Sequence, residues 1–270
     1  MGTTTNLVLG GSGLIGKELQ KQLLQSGEQT INLDIKEGTD LRTFSLEKYS
    51  DIDYVWFLAW DVGGAKYLYN TEHQIEILKN NTGICRNVFH FLEKYKIPFV
   101  FTSSQLANTD NSYGITKLLG ELWTQQLCGK IVRFWNVYGW EAPSEKSHVI
   151  PDLITQALVN KKIVLLTNGN EERQFIYIED CIRNLIKIRE SNLNLFHLTN
   201  GDWLPIKKIA GVIADKLNVP LILGNEQGYS YKVNPDESYK LFDFLMPIDS
   251  GIEIILKKAK VYLQKQKINV

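Results

Sequence analysis

Tyr113 and Lys117 form the only Tyr-x-x-x-Lys pair in the chain. Their spacing puts both side chains on one face of a helix. An unperturbed phenol ionises near pH ~10, and a neighbouring ammonium group favours the phenolate. Tyr113 is therefore a candidate for removing or returning a hydroxyl proton. The alternative is a chance pair on an exposed helix, because the chain has 12 tyrosines.

A serine lies at a second position suited to this chemistry. Ser104 closes the apolar run before the Tyr113 segment, and strand ends in parallel sheets face the ligand crevice. Its hydroxyl group would share the substrate oxygen with Tyr113. The alternative is a serine-rich turn or a helix N-cap, which is the commoner use of such residues.

Three glycines indicate a dinucleotide-binding turn. Gly10, Gly13 and Gly16 follow a strand-like run at 6–9 and precede a helix-like run at 17–25. A diphosphate needs a close backbone approach and the free N–H groups of a helix N-terminus, and side chains would block that approach. The order strand, glycine turn, helix therefore predicts a cofactor site.

Asp34 indicates which of the two nicotinamide dinucleotides the turn would bind. It closes the next strand-like run, at the position where an acidic residue hydrogen-bonds a ribose 2′-hydroxyl group and repels a 2′-phosphate. NAD is therefore favoured over NADP.

Alternation of strand-like and helix-like segments predicts an α/β fold, a Rossmann-type doubly wound parallel sheet. Its strands are predicted at 6–9, 30–34, 54–59, 98–102 and 130–134, and its helices near 14–26, 71–95 and 113–128. After residue 136 the pattern loosens, with helices near 150–159, 205–217 and 249–264 and strands near 163–166 and 174–178. We predict an NAD-binding core over residues 1–136. The remainder, 137–270, is predicted to be a smaller mixed substrate-binding lobe, with some segments completing the sheet.

Composition excludes several classes of function. Basic and acidic residues balance at 30 each, so nothing favours nucleic acid or an anionic membrane as a partner. Three scattered cysteines lack metal-ligand spacing, and the sequence has no apolar run long enough to span a membrane. We expect a cytoplasmic protein without a bound metal.

Eight sequence blocks in the same order resemble the extended short-chain dehydrogenase/reductase family, in its nucleotide-sugar epimerase/dehydratase branch. They are the glycine turn, Asp34, Asp40-Leu41-Arg42, Phe57-Leu58-Ala59-Trp60, Asn80-Asn81-Thr82-Gly83, Ser103-Ser104 with Tyr113 to Lys117, Arg133 to Gly139, and Arg173 to Asp180. The resemblance extends over nearly the whole length.

The resemblance implies a role for each matching residue. The turn, including Leu14 and Ile15, would hold the cofactor with Asp34, and Asp40 and Leu41 would contact the adenine. Ala59 would flank the cofactor, Lys117 would hold the nicotinamide ribose beside Tyr113, and Ser104 would be the third catalytic member. Asn136 and Arg173 match positions that meet the diphosphate of a sugar nucleotide; an ion pair with Glu171 or Glu179 is the alternative for Arg173.

Departures from the family pattern narrow the reaction. Gln105 and Leu106 replace the Asp-Glu pair of 4,6-dehydratases, so that activity is not expected. Val62-Gly63-Gly64 and Ser147 to Pro151 resemble GDP-fucose synthase-like members, which favours a GDP-hexose or GDP-heptose. Leu106 replaces the catalytic cysteine of that subgroup, so its double epimerisation is not expected. His148 is then a candidate single acid or base or substrate contact, or else a helix-capping or packing residue.

We therefore expect an NAD-dependent enzyme that oxidises or reduces a sugar carbon, C4, of a nucleotide-linked sugar, as an epimerase, dehydrogenase or ketosugar reductase. The alternative is a non-catalytic dinucleotide-binding regulatory protein, which the short interval between Ser104 and Tyr113 favours. The resemblance also implies a homodimer formed by the helices near 71–95 and 113–128. Apolar residues of the second helix, Ile115, Leu118, Leu119, Leu122 and Trp123, would face either a partner or their own sheet.

Overall fold

A computed structural model of the protein describes residues 3–107, 109–233, 235 and 245–266. Its strands are β1 (Thr5–Leu9), β2 (Gln29–Leu33), β3 (Tyr54–Phe57), β4 (Phe99–Ser104), β5 (Lys130–Phe134), β6 (Asn136–Tyr138), β7 (Ile163–Val164), β8 (Glu172–Arg173), β9 (Phe175–Tyr177), β10 (Leu195–Leu198), β11 (Leu204–Pro205) and β12 (Leu221–Ile222). Its α-helices are α1 (Leu14–Gln25), α2 (Ala65–Leu68), α3 (Gln74–Tyr95), α4 (Ser112–Gln126), α5 (Val149–Asn160), α6 (Ile178–Ile188), α7 (Ile206–Leu217) and α8 (Ile248–Lys265).

The chain packs as two compact units. The first comprises Met1–Val62, Tyr67–Phe134 and Cys181–Leu198, and the second comprises the rest of the chain. The division predicted at residues 136 and 137 concerns cofactor and substrate binding, and it stays a prediction.

The first unit contains a six-stranded sheet in the order β10-β5-β4-β3-β1-β2, and every neighbouring pair is parallel. The chain passes from β1 to β2 on one side and then to β3 on the other, so the topological switch point lies between β1 and β3. Ligands in such sheets bind beyond the carboxyl ends of the strands at this point. The predicted Rossmann-type fold is confirmed.

Buried apolar residues explain the parallel sheet. All residues of β3 and β4 are buried, as expected for strands covered by helices on both faces. Phe57, Phe89 and Phe101 pack edge to face or tilted, with ring centroids 5.3–5.8 Å apart. This aromatic cluster fixes α3 against β3 and β4.

The second unit has short strands and three longer helices. β6 pairs with β9 and β7 with β12 in parallel, whereas β8 and β11 are antiparallel. Helix α5 packs against α7 and α8. This is the smaller mixed lobe that the sequence predicts.

Sequence analysis missed α6 and β10. The apolar positions 178, 182, 185 and 188 of α6 have helical spacing and are buried, but the helix follows β9 without a glycine or proline to mark the boundary. Strand β10 is only four residues long and carries a buried polar residue, His197. Neither element therefore has a strong local signal.

The described residues include no helix that is both long and apolar enough to cross a membrane. In the same part of the chain, no cluster of three or more His, Cys, Asp or Glu side chains has the arrangement of a metal site.

Candidate active site

The glycine turn follows β1, and Gly10 is required by its backbone. Gly10 has a φ angle of +89°, and a Cβ atom there would lie 2.7 Å from the Cα and N atoms of Ala59. A Cβ atom on Gly16 would lie 2.4 Å from the Cα atom of Gly11. These two glycines therefore allow the turn to pack closely against the end of β3 and against α1.

Gly13 differs, because the space around it is open. A Cβ atom there would meet only the carbonyl oxygen of Gly10, at 3.5 Å. Gly13 precedes α1, which has no side-chain cap and no acidic residue in its first turn, so neither of these competes for the N–H groups at Leu14 and Ile15. The open space and the uncapped helix end fit a dinucleotide diphosphate.

Asp34 is buried at the carboxyl end of β2 and braces the turn. Its Oδ2 accepts the backbone N–H of Ser12 at 2.9 Å, and its Oδ1 accepts that of Lys36 at 2.8 Å. Each oxygen keeps a further acceptor position. The carboxylate can therefore accept a ribose hydroxyl group while it holds the turn.

Asp40 and Leu41 have different surroundings. Arg42 donates two parallel hydrogen bonds to the Asp40 carboxylate, at 2.8 and 2.7 Å, and these bonds lower the pKa of Asp40. The Leu41 side chain is buried in the core, so only its backbone is available to an adenine. The predicted adenine contact of both residues stays a prediction.

Two asparagines of α3 hold the loop after β3. Asn81 accepts the backbone N–H of Asp61 at 2.7 Å, and Asn80 donates to the Asp61 carboxylate at 2.8 Å. The Tyr67 hydroxyl group donates to the same carboxylate at 3.0 Å. These bonds fix the segment beside Ala59, the predicted cofactor flank.

Ser104 ends β4, and Tyr113 lies in the first turn of α4. Asn111 caps this helix by accepting the Gly114 N–H at 2.8 Å. Tyr113 is buried, and burial raises its pKa to about 12, opposed by a side-chain hydrogen bond from Ser104. The structure therefore brings this predicted pair together. Asn108, between these two residues in the sequence, lies outside the described residues.

Lys117 is buried one helical turn after Tyr113. Its Nζ donates to the Thr102 carbonyl oxygen at 2.5 Å and lies 4.3 Å from the ring centroid of Trp60. Burial lowers the pKa of Lys117 to about 7, whereas Cys85 and Glu121 raise it. The expectation that this lysine lowers the pKa of the Tyr113 phenol is not met in this structure, because burial dominates at both groups.

Glu121 continues the buried face of α4. Its carboxylate accepts two hydrogen bonds from Arg133 on β5, at 2.8 and 2.7 Å, and one from Ser103, at 2.5 Å. This network joins α4 to β4 and β5 beside Ser104. Sequence analysis missed it, although Glu121 has helical spacing from Lys117.

Asn136 and Arg173 lie in the second unit, on neighbouring segments. The Asn136 side chain donates to the carbonyl oxygen of Gln174 at 3.0 Å, and β6 pairs with β9 in this region. Arg173 donates to the Glu172 carbonyl oxygen at 2.8 Å. Asn136 therefore lies beside the segment that carries Arg173, and their predicted role in diphosphate binding stays a prediction.

His148 also belongs to the second unit and precedes α5. Its Nδ1 lies 2.7 Å from Oε1 of Glu141, and its backbone N–H donates to the same oxygen at 2.6 Å. The side chain is 43% exposed. Sequence analysis missed Glu141, because a loop residue seven positions away has no periodic relation to a histidine.

This chain is similar to known proteins over most of its length. A family model described as the NAD dependent epimerase/dehydratase family matches residues 6–197. The chain is 24% identical over 253 residues to a putative UDP-glucose 4-epimerase of Methanocaldococcus jannaschii, covering 78% of this chain and 82% of the relative. It is 22% identical over 272 residues to a dTDP-4-dehydro-6-deoxy-D-allose reductase of a Streptomyces species, covering 80% and 82%.

Solved structures show the same fold. A UDP-glucose 4-epimerase of Thermotoga maritima, solved with UDP-glucose, has a TM-score of 0.83 at 16% identity, covering 96% of this chain and 100% of that one. An NAD-dependent NDP-hexosamine 5,6-dehydratase of tunicamycin biosynthesis has a TM-score of 0.83 at 18% identity, covering 96% and 98%. Since the family model spans more than half of the chain, this protein belongs to the NAD-dependent epimerase/dehydratase family.

Proposed function

We propose that this protein is an enzyme that uses NAD to oxidise or reduce C4 of a nucleotide-linked sugar. One observation carries the proposal. Ser104, Tyr113 and Lys117 gather around the end of β4, in the sheet whose β1 ends in the glycine turn. A proton-exchanging phenol and a dinucleotide site therefore belong to one sheet edge.

The glycine turn and Asp34 would hold the cofactor. Gly13 leaves room for the diphosphate, and the N–H groups at the start of α1 would bind it. Asp34 would accept a ribose hydroxyl group and repel a 2′-phosphate. When bound, NAD supplies the hydride acceptor or, reduced, the hydride donor.

Tyr113 would exchange the hydroxyl proton of the sugar. Because burial raises the pKa of Tyr113 to about 12, the phenol carries its proton at neutral pH and can donate it to a ketone oxygen. Ser104 would hydrogen-bond the same oxygen, and Lys117 would hold the ribose. Epimerisation, dehydrogenation and ketosugar reduction would all use this proton exchange between Tyr113 and the sugar oxygen.

Gln105 argues against 4,6-dehydration. The reaction needs a group that carries a proton at the position after the catalytic hydroxyl group, and a neutral amide does not exchange protons as a carboxyl group does. The amide oxygen of Gln105 is buried and accepts no hydrogen bond within the described part of the chain. We propose that it accepts one from a sugar hydroxyl group.

The second unit would bind the nucleotide sugar. Arg173 suits a diphosphate because its planar fork can hold two phosphate oxygens, with Asn136 and His148 as further contacts. The resemblance of two blocks, Val62-Gly63-Gly64 and Ser147 to Pro151, favours a GDP-hexose or GDP-heptose. Gly64 of the first block packs against Ser147 of the second, since a Cβ atom on Gly64 would lie 2.3 Å from the Ser147 carbonyl oxygen. The paired-glycine loop and the Ser147 to Pro151 block are therefore one structural feature.

We also propose a homodimer in the cytoplasm. Three apolar side chains of α4 face outward, with Ile115 and Leu122 each 51% exposed and Leu118 also exposed. Trp123, by contrast, packs against Phe89 in its own unit. The outward residues would form the contact between two copies.

A substrate panel tests the proposal. Purified protein is incubated with UDP-, GDP-, CDP- and dTDP-sugars and their 4-keto forms, with NAD or NADH, while the absorbance of reduced nicotinamide and the product NMR spectra are recorded. We expect turnover with one nucleotide class. Tyr113→Phe should lower kcat by about 10²–10⁴-fold and leave NAD binding intact.

Tyr95→Phe is the matched control. Tyr95 is the last residue of α3, and its hydroxyl group donates a hydrogen bond to Glu47, which is not a residue of the candidate site. NAD binding without turnover of any sugar, or full activity of Tyr113→Phe, would support the non-catalytic alternative instead.

A further inference from the structure

His148 has the position of a helix cap but does not act as one. It is the N-cap residue of α5, yet its side chain makes no capping hydrogen bond. Nor is it packed in the interior, since 43% of the side chain is exposed. Both structural roles that a histidine commonly has at such a position are therefore absent here.

Glu141 instead fixes the orientation of the imidazole ring. A single carboxylate oxygen, Oε1, accepts the backbone N–H of His148 at 2.6 Å and lies 2.7 Å from ring Nδ1. An ionised carboxylate only accepts hydrogen bonds, so the ring can donate to Oε1 when Nδ1 carries the proton. The neutral ring then has a lone pair on Nε2, and no described protein group hydrogen-bonds that atom.

The segment that carries His148 is itself anchored. The Ser147 hydroxyl group donates to the Asp152 carboxylate in the first turn of α5, and Lys66 lies 3.6 Å from the other oxygen of that carboxylate. The Gly64 N–H donates to the Lys146 carbonyl oxygen at 3.0 Å. The backbone at His148 is thus held by contacts that are independent of Glu141.

We propose that Glu141 is a positioning residue, which holds His148 with Nδ1 protonated so that Nε2 accepts a hydrogen bond from a hydroxyl group of the sugar. This inference rests on the proposed function, which it deepens by naming the recognised group. A site built to accept a hydroxyl hydrogen discriminates against an analogue that lacks the hydroxyl group, because the acceptor then loses its partner in the complex. Glu141 acts only through His148.

The tautomer of His148 tests the first half without any substrate. In protein labelled with ¹⁵N-histidine, long-range ¹H–¹⁵N correlation spectra identify which ring nitrogen carries the proton. We expect the Nδ1–H form in the wild type and a shift towards the Nε2–H form, which free imidazole side chains favour in water, in Glu141→Ala. Glu226→Ala, which removes an exposed carboxylate of the same unit, should leave the spectrum unchanged.

Wild-type protein with Nε2 protonated, or an unchanged tautomer in Glu141→Ala, would overturn the inference. Should Glu141→Ala fail to fold, Glu141→Gln keeps the size of the side chain, and its weaker acceptor should give a mixture of the two tautomers.

Kinetics test the second half with the nucleotide sugar that proves active. Glu141→Ala and His148→Ala should each raise KM by about tenfold with a smaller effect on kcat, and the double variant should add little to either. Additive losses with unchanged KM would indicate a merely structural role. If no nucleotide sugar reacts but the tautomer shifts as expected, the proposed function fails while the role of Glu141 stands.

Discussion

Gly10 and Gly13 lie in the same turn but differ in what a side chain would meet. Gly13→Ala adds a Cβ atom in open space, so we expect a loss of about 1 kcal/mol or less in the free energy of unfolding, from the poorer N-cap. The affinity for NAD should fall by at least about tenfold, because the methyl group occupies the approach of the diphosphate. Urea titration and calorimetric NAD binding measure the two effects.

Gly10→Ala should differ from Gly13→Ala, because its main effect should be a large decrease in the free energy of unfolding. Its left-handed backbone alone costs about 1–2 kcal/mol for a non-glycine residue, and the contact with Ala59 adds to this. Gly27→Ala is the control, since Gly27 has a φ angle of +84° but no atom within 4 Å of its Cβ position. Equal losses at both sites would show that the contact with Ala59 is unimportant.

Lys117 should make stability depend on pH. Its pKa is lowered to about 7 in the folded protein, while the unfolded chain binds the proton up to about pH 10.4. Between these values the unfolded state binds more protons, so the contribution of Lys117 to stability increases with pH, by up to about 1.4 kcal/mol per pH unit. This contribution is lost as the pH falls towards 7.

Comparison of wild type with Lys117→Met isolates this effect. The difference between their free energies of unfolding should move in favour of the wild type from pH 7 to pH 9.5, below the range in which buried tyrosines titrate. Urea titrations at four pH values provide the measurement. A difference that stays constant with pH would contradict the lowered pKa.

At the scale of elements, the network of Glu121, Arg133 and Ser103 joins α4 to β4 and β5. Glu121 is buried, so Arg133→Met leaves its carboxylate with Ser103 as the one remaining side-chain donor among the described residues. Breaking such a pair costs about 3–5 kcal/mol, and we expect a loss of stability of that size. Replacing both members, as in Glu121→Leu with Arg133→Met, should recover much of it.

The exposed ion pair of Lys94 and Glu47 is the control for these substitutions. Glu47→Gln should leave the free energy of unfolding unchanged, because solvent screens an exposed pair. Equal effects of the buried and exposed substitutions would contradict the assignment of the network as a structural joint.

Sequence periodicity predicted the elements around the site well, but not their side-chain contacts. The helical spacing of Tyr113 and Lys117 was sufficient to predict that both lie on one face of α4, whereas the burial of that face came from the structure. The pairing of Glu121 with Arg133 depends on how α4 packs against β5. The contact between Glu141 and His148 depends on the path of the loop before α5. Contacts between segments have no local signal, so neither was predictable.

For the whole molecule, the prediction is a dimer through α3 and α4. Ile75 on α3 and Ile115 and Leu122 on α4 are each at least half exposed to solvent. A group of exposed apolar side chains is typical of a protein–protein contact surface. Sedimentation should give twice the mass of the 30.9 kDa chain for the wild type and a shift towards monomer for Leu122→Glu. Leu24→Glu on α1, also exposed, should leave the mass unchanged; a monomeric wild type would contradict the prediction.

The sequence by itself determined the parallel α/β fold, the family and the residue types of the candidate site, because glycine turns, strand periodicity and the spacing of Tyr113 and Lys117 are local properties. Only the tertiary structure decided the electrostatics and the supporting contacts. Burial raises the pKa of Tyr113 and lowers that of Lys117, and burial depends on what packs around these groups, including the Trp60 ring beside Lys117 Nζ. The role proposed for Glu141 likewise depends on a loop that brings one carboxylate oxygen to the backbone N–H and to ring Nδ1 of His148.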